Sequence, residues 1–375
     1  VNRVPAVSVG LQIGTQPPLS AQHAFLFGAR LMRLDSVMTI DHFQNIFPTV
    51  IWDRELTWLA AQRTTPHEFF DYQVLLGHLA SRVGSMRLGV GVTEPIRRHP
   101  LVIAQAMMTL SYLTKRAPIL GIGAGERMNI EPYGLDPSEA VTRLAEALQI
   151  IRHCFHESGP ITFSGKHYEL ERATMDLKPA SGRTPSIWVA GHGPRMLDLT
   201  GRYGDGWYPT AVVSPDEYAA KLDVVRKAAR DAGRDPASIT PALHRFVVVG
   251  QTEAQVRAML DTKAIRALGL MAPAGLWRQA GATHPFGEHF NPLVDFVPDR
   301  YDRQTMDDAI AAVPSRLLTE GPVLWGTPEQ VVAKLRSFQT AGLRHVVLAP
   351  VSGLVSRRAA LYGLRATGKI ARALR

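Results

Sequence analysis

A chain of 375 residues with 46% apolar and 20% charged side chains can bury a large core, and an α/β barrel of this length still runs as one domain. Its mean hydropathy of −0.03 and the lack of any apolar run near the ~18 residues of a membrane span exclude both a disordered chain and a membrane-spanning one. The formal charge of +9 comes from scattered Lys and Arg with only doublets such as Arg97-Arg98 and Arg357-Arg358, so no nucleic-acid partner is expected. A solvated basic surface accounts for most of that charge and leaves room for an anionic cofactor or a peripheral contact with a lipid surface. Cys154 is the single cysteine, which rules out an internal disulfide framework. Val1 to Gly10 lacks the charged head, apolar core and cleavage site of a signal peptide, so a cytoplasmic protein is expected.

Apolar patterning alternates between strand-like and helix-like segments. Val7 to Ile13 reads as a strand, Ser20 to Met32 as a helix, and Ser36 to Ile40 as a second strand ending at Asp41-His42. Phe69 to Ser81 is helical, Met86 to Thr93 a strand, and Pro100 to Leu113 a helix with proline where it is tolerated. Ala117 to Gly121 is a strand running into Gly-Ile-Gly-Ala-Gly-Glu, and Pro137 to His156 a long amphipathic helix. The beat resumes with a strand at Ser186 to Ala190, a helix through Thr200, and a very short strand at Gly206 to Tyr208. Then come a helix at Pro215 to Ala232, a strand at Leu243 to Gly250, a helix at Thr327 to Ala341 and a last strand at His345 to Ala349. Strand–helix alternation repeated about eight times predicts a parallel sheet, and a closed (β/α)8 barrel accounts for the count better than an open sheet. The stretch from about 251 to 325 breaks the beat. Leu270 to Arg303 within it is rich in Pro, Gly, His and aromatics, as lids and substrate walls are. No domain boundary is placed there, because both flanks belong to the same alternation.

In a parallel barrel the reacting groups gather at the C-terminal strand ends. Asp41-His42 follows the second strand at once, and a histidine there can exchange a proton near neutral pH. Gly89-Val90-Gly91-Val92-Thr93 ends the third strand. Glycine weakens a strand unless something approaches its backbone, so either a flat ligand or a bulge at the rim is expected. Gly121 to Glu126 ends the fourth strand. It lacks the third glycine of a dinucleotide fingerprint, but Glu126 puts a carboxyl group where an enclosed site makes a proton donor. Ala190-Gly191-His192-Gly193-Pro194 joins the fifth strand to a helix, a turn whose N–H groups favour a phosphate. No metal site is expected. His153, Cys154 and His156 lack a further ligand, and Glu288-His289 has the wrong spacing for a zinc motif.

Taken together, these strand ends resemble the bacterial-luciferase-like superfamily, and within it the branch that uses coenzyme F420, a 5-deazaflavin. The resemblance covers essentially the whole chain and implies a (β/α)8 barrel, commonly a homodimer. Asp41-His42-Phe43-Gln44 is similar to the segment whose His lies near the deazaflavin reaction centre and whose Asp helps hold the cofactor. Gly91-Val92-Thr93 matches the strand end that carries a non-proline cis peptide against the ring. Gly125-Glu126 with Asn129 matches the segment supplying the acidic residue and further cofactor contacts, and Ala190 through Gly193 the phosphate turn. Trp325-Gly326-Thr327-Pro328-Glu329 resembles the family's late helix start. Gly191 to Leu197, Asp231 to Pro236, His284 to Gly287 and Gly342 to Leu348 are similar to the phthiodiolone dimycocerosate ketoreductase group. Sugar-phosphate dehydrogenases of the branch have Trp where Ile46 stands and a lysine after the sixth strand. Tyr208 to Pro215 has none and is largely apolar, which favours an uncharged, lipid-like ketone.

The expected activity is hydride transfer from reduced coenzyme F420 to a ketone. His42 or Glu126 gives the proton, with His42 favoured, and Asp41 and Asn129 hold the cofactor. An FMN-dependent monooxygenase of the same fold is the first alternative, and a non-catalytic deazaflavin- or lipid-binding barrel the second.

Overall fold

The computed structural model describes residues 5–375, so the expectation placed on Val1 to Gly10 lies partly outside the described residues. Eight parallel strands close into a barrel. In chain order β1 (Ser8–Gln12), β2 (Ser36–Thr39), β3 (Arg87–Thr93) and β4 (Ile119–Ile122) pair side by side. An antiparallel hairpin, β5 (Ile161–Ser164) and β6 (Glu169–Ala173), stands outside the barrel. β7 (Ser186–Val189), β8 (Gly206–Trp207) and β9 (Thr240–Val249) continue it. A short β10 (Leu324–Gly326) pairs with the end of β9, and β11 (His345–Pro350) lies between β9 and β1. The β8–β9 and β11–β1 pairings decide for a closed barrel over an open sheet.

The period of two along each strand sorts the core into two layers. Outward residues such as Val9, Leu11, Val37, Ile187, Val189, Leu243, Val346 and Leu348 pack beneath the helices. Inward residues Met38, Ile119, Trp188, Tyr208, Ala242 and Val347 fill the barrel. Two buried histidines lie among the inward set. His345 Nε2 is 2.8 Å from Ser36 Oγ, and His244 Nε2 is 2.5 Å from Gln12 Oε1, while Gln12 Nε2 donates to the Gly91 carbonyl at 3.0 Å.

The outer helices are α1 (Leu19–Leu31), α2 (Tyr72–Ala80), α3 (Pro100–Leu113), α4 (Ala140–His156), α5 (Pro194–Tyr203) and α6 (Pro215–Asp231). Local chemistry sets their starts. Asp71 accepts from Gln73 N and Val74 N, so α2 begins later than the apolar pattern implies. Asp136 takes Ser138 N into a local turn and Glu139 adopts φ 53°, which moves the start of α4 from Pro137 to Ala140. Between β9 and β10 the chain forms six short helices. These are α7 (Glu253–Leu260), α8 (Lys263–Ala267), α9 (Ala274–Gln279), α10 (Pro292–Asp295), α11 (Arg303–Ala311) and α12 (Ser315–Glu320). They surround an apolar cluster of their own, with Trp277, Phe290, Phe296 and Met306, that also takes in Phe47, Ile51 and Leu56 from the segment after β2. A reading of 270–303 as loop therefore missed two short helices. The helix α13 (Pro328–Thr340) opens on a capping box of Thr327 and Gln330, and α14 (Arg357–Leu374) ends the chain. Among the described residues no helix is long and apolar enough to cross a membrane.

Burial pushes the pKa values of His345 and His244 down to about 3, with Arg87 and Arg116 adding to the effect on the first and Arg245 on the second. Unfolded, both rings take up a proton near pH ~6.5; folded, they stay neutral. Stability is therefore complete above that pH and is lost as pH falls toward ~3, at about 1.4 kcal/mol per pH unit for each ring. Thermal unfolding followed from about pH 7 to about pH 5 is expected to show a falling midpoint, with a shallower slope in His345→Gln. A flat profile would show that these rings charge within the fold.

Candidate active site

The chain leaves β2 through Ile40 and enters the site at Asp41, whose side chain is almost wholly buried. Its Oδ2 accepts from Thr93 Oγ1 at 2.7 Å and Arg98 Nη1 at 2.8 Å, and Arg97 Nη2 stands 3.1 Å away. Arg97 Nη2 also donates to the Asp41 carbonyl at 2.8 Å, and its Nε donates to Glu94 Oε1 at 2.6 Å. Its guanidinium lies 4.6 Å from the centre of the Phe43 ring. The Arg97-Arg98 doublet, read from sequence as solvated charge, is thus a buried counter-charge binding the ends of β2 and β3. Its signal was position: two arginines between a strand end and the start of α3.

His42 projects from this anchored segment with about a fifth of its side chain exposed. Its Nδ1 is 3.2 Å from the Gln44 carbonyl and its Nε2 is 3.4 Å from Glu126 Oε2. A carbonyl oxygen only accepts, so Nδ1 carries a hydrogen. Nε2 is then left facing the Glu126 carboxyl group. Both lie partly open at the barrel mouth. Asn129 ties the two residues together from below. Its Oδ1 accepts from Phe43 N at 2.8 Å and Gln44 N at 2.9 Å, and its Nδ2 is 3.3 Å from Glu126 Oε2. This amide orientation is the one that satisfies all three partners. At 2% exposure, Asn129 faces protein on every side.

The other strand ends border the same mouth. The Gly91–Val92 peptide is cis, and Gly91 and Val92 are half-buried. A Cβ on Gly91 would come within 3.1–3.3 Å of the Tyr208 ring and of Met38, so the packing beneath leaves it little room. Gly89 answers a different need: its Cβ would press on Ile119 of the next strand. Gly125 adopts φ +102°, a left-handed conformation that turns the chain toward Glu126. Ala190 N donates to the Ile122 carbonyl, and the Gly191 carbonyl accepts from Trp207 Nε1 at 2.9 Å. His192 Nε2 is 3.3 Å from Thr210 Oγ1; burial, then Lys221 and Arg245, pushes its pKa down to about 4. Gly193 caps α5 with no side-chain partner, leaving the first N–H groups of that helix without a cap.

Tyr208 and Val212 are buried in the core, so the apolar character of these two records packing, while Ala211 and Val213 are half-buried. The nearby lysine is Lys221, paired with Glu217 at 2.8 Å.

This fold and these strand ends define a family. The luciferase-like monooxygenase pattern matches residues 35–345, and the chain belongs to that family. It is 40% identical over 336 residues to the phthiodiolone/phenolphthiodiolone dimycocerosates ketoreductase of Mycobacterium tuberculosis (strain ATCC 25618 / H37Rv), covering 88% of each chain. It is 31% identical over 293 residues to an F420-dependent glucose-6-phosphate dehydrogenase of Nakamurella multipartita, covering 77% of this chain and 78% of that one. Its fold is also that of an F420-dependent secondary alcohol dehydrogenase solved with an F420–acetone adduct, at a TM-score of 0.77, 20% identity and 99% coverage of both chains.

Replacing Asn129 by Ala removes the acceptor for two backbone N–H groups at a buried position. A loss of about 1–3 kcal/mol is expected in chemical denaturation. Unchanged stability would mean that water replaces the amide there.

Proposed function

We propose that this chain is a coenzyme F420-dependent ketoreductase whose proton donor is the His42–Glu126 pair. The observation that carries this reading is that His42 Nε2 faces Glu126 Oε2 at 3.4 Å at the mouth of a barrel of this family. The residues present suit a flat, anionic cofactor. A Cβ on Gly123 would meet Val92 and Ala190 only at ordinary contact distance, and one on Gly193 would meet nothing. The chain's own packing demands neither glycine, and the room they leave lies beside Gly91-Val92 and at the uncapped start of α5. A ring fits the first place and a phosphate the second.

Bound in reduced form, the deazaflavin supplies a hydride. The ketone carbon receives it, the C=O π pair moves to oxygen, and His42 Nε2 gives its proton to that oxygen. Glu126 holds the proton's counter-charge and, once water at the open mouth has protonated it, passes that proton to Nε2. Thr93 and Asp41 support the cofactor edge from behind, as Asn129 does by fixing Phe43, Gln44 and Glu126. Gly125 aims Glu126, and Ala190, Gly191, His192 and Gly193 carry the phosphate end. The substrate we favour is an uncharged, lipid-like ketone, as the name of the mycobacterial relative suggests.

The test is fluorescence titration with coenzyme F420 against FMN, followed by turnover with reduced F420 and a long-chain methyl ketone. Binding of F420 and not FMN is expected, with kcat falling on the order of 10²–10⁴-fold in His42→Ala and less in Glu126→Gln. Retained FMN with oxygen consumption would replace this reading by a monooxygenase. Tight F420 binding with no turnover would replace it by a binding protein.

The chain is also proposed to act as a homodimer. Between α2 and α3 lies a groove of about 340 Å³, and no charged residue lines it. Val74 is 75% exposed there, beside Val102 and Leu113. For copies that each carry +9, an uncharged apolar patch is where approach costs least. Light scattering is expected to give a dimer for the native chain and a monomer for Val74→Glu. A monomeric native chain would refute this.

A further inference from the structure

The 251–325 insertion does more than cover the barrel. Asp299, between α10 and α11, reaches across to the segment that follows His42. Its Oδ2 accepts from Gln44 Nε2 at 2.7 Å and from His67 Nε2 at 2.9 Å, and its Oδ1 accepts from Thr49 N at 2.7 Å. His67 completes the set: its Nδ1 accepts from Asn45 N at 2.9 Å, so its hydrogen is on Nε2 and points at Asp299. Burial holds the His67 pKa below its ordinary value, with Asp299 opposing that shift, so the ring stays in this neutral form near neutral pH. Phe47, Ile51 and Leu56 pack into the insertion's apolar cluster on the same side.

Gln44 is the link between this carboxylate and the reaction centre. Its side chain is held by Asp299, its N–H by Asn129, and its carbonyl accepts from His42 Nδ1. A histidine ring without such a partner is free to carry its neutral hydrogen on Nε2. In that tautomer Nε2 presents no lone pair and cannot take a proton back from Glu126.

We infer that Asp299 is a positioning residue for the reaction: it holds Gln44 so that the Gln44 carbonyl fixes the His42 tautomer, which makes the insertion part of the catalytic apparatus. This rests on the assignment of His42 to proton transfer. It accounts for a carboxylate that has no Lys or Arg partner among the described ion pairs and instead accepts three N–H donors from the 44–67 segment. The Gln44 Oε1 atom is buried without a partner, so this side chain is aimed by what its nitrogen meets. Arg127 to the Val294 carbonyl at 3.1 Å and Arg300 to Glu131 at 2.8 Å tie the insertion to the Glu126 side of the mouth as well. The insertion thus spans both members of the proton-sharing pair.

The test compares Asp299→Ala, Gln44→Met, the double variant and Asp299→Asn. Each is measured for thermal unfolding, F420 binding by fluorescence, ketone reduction, and the histidine-ring nitrogen NMR shifts of His42. Asp299→Ala is expected to lower kcat on the order of 10²-fold with F420 binding and KM little changed, since a reacting group displaced by about 1 Å costs that much. Its His42 shifts move toward the Nε2–H form. The double variant falls no further than Asp299→Ala alone, because both act through one contact. Asp299→Asn recovers only part of the rate: its oxygen keeps Thr49 N and its amide donates to Gln44 Oε1 once that side chain turns over, but the same NH2 meets the Nε2–H of His67, which is left to Thr49 Oγ1 at 3.1 Å. Unmoved His42 shifts in a folded Asp299→Ala, or additive losses in the double variant, would overturn the inference. Shifts that move as expected in a protein that never reduces a ketone would refute the proposed function and leave the positioning role standing. A dead His42→Ala beside a fully active Asp299→Ala would do the reverse.

Discussion

The site depends on a buried carboxylate held between two arginines. Asp41 leaves β2 pointing into protein, where water cannot screen it, and Arg97 and Arg98 reach it from the end of β3. Removing one member of such a cluster strands the others and costs about 3–5 kcal/mol, whereas an apolar replacement of the whole costs little. Stability alone therefore gives no reason to keep it. Its geometric effect does: Arg97 binds both the carboxylate and the carbonyl of Asp41, stacks on Phe43 and is itself held by Glu94. The residues on both sides of His42 are pinned, and the ring between them is left partly free at the mouth.

Around that anchor, fixed groups hold His42 and Glu126 facing each other. Asn129 spends its oxygen on two N–H groups of the His42 segment and its nitrogen on Glu126. The Gln44 carbonyl spends itself on His42 Nδ1. Beneath, Gln12 holds the Gly91 carbonyl and is met by His244, a ring kept neutral by burial, so the floor of the mouth carries no net charge. A developing negative charge on a substrate oxygen would then find its nearest proton between His42 and Glu126.

What was legible in the sequence follows from what is local. The strand–helix alternation and the helix start at Thr327 are written in neighbouring residues, and the structure has both. The hairpin of β5 and β6 was not found, because its burial alternates weakly on strands of four and five residues. The insertion's helices α8, α9, α10 and α12 run six residues or fewer, too short for a period of 3.6 to show. The partners of Asp41 and Asp299 lie as far as 57 and 255 residues away, and no spacing rule reaches that distance. Arg97-Arg98 failed for a related reason. Two adjacent arginines look solvated until the carboxylates that face them are known, and Asp41 and Glu94 belong to different strand ends.

The hydrogen on Nδ1 bears on the choice between His42 and Glu126. Two rival donors would hold independent protons. In the proposed reaction the Gln44 carbonyl removes that independence, since with Nδ1 committed a proton can pass only between Nε2 and Oε2. Which atom carries it at rest matters less than where it can go, and the Asn129 amide holds Oε2 in place opposite Nε2. In the reaction we propose, Glu126 is the proton's reserve and counter-charge, and the histidine is the group from which it leaves.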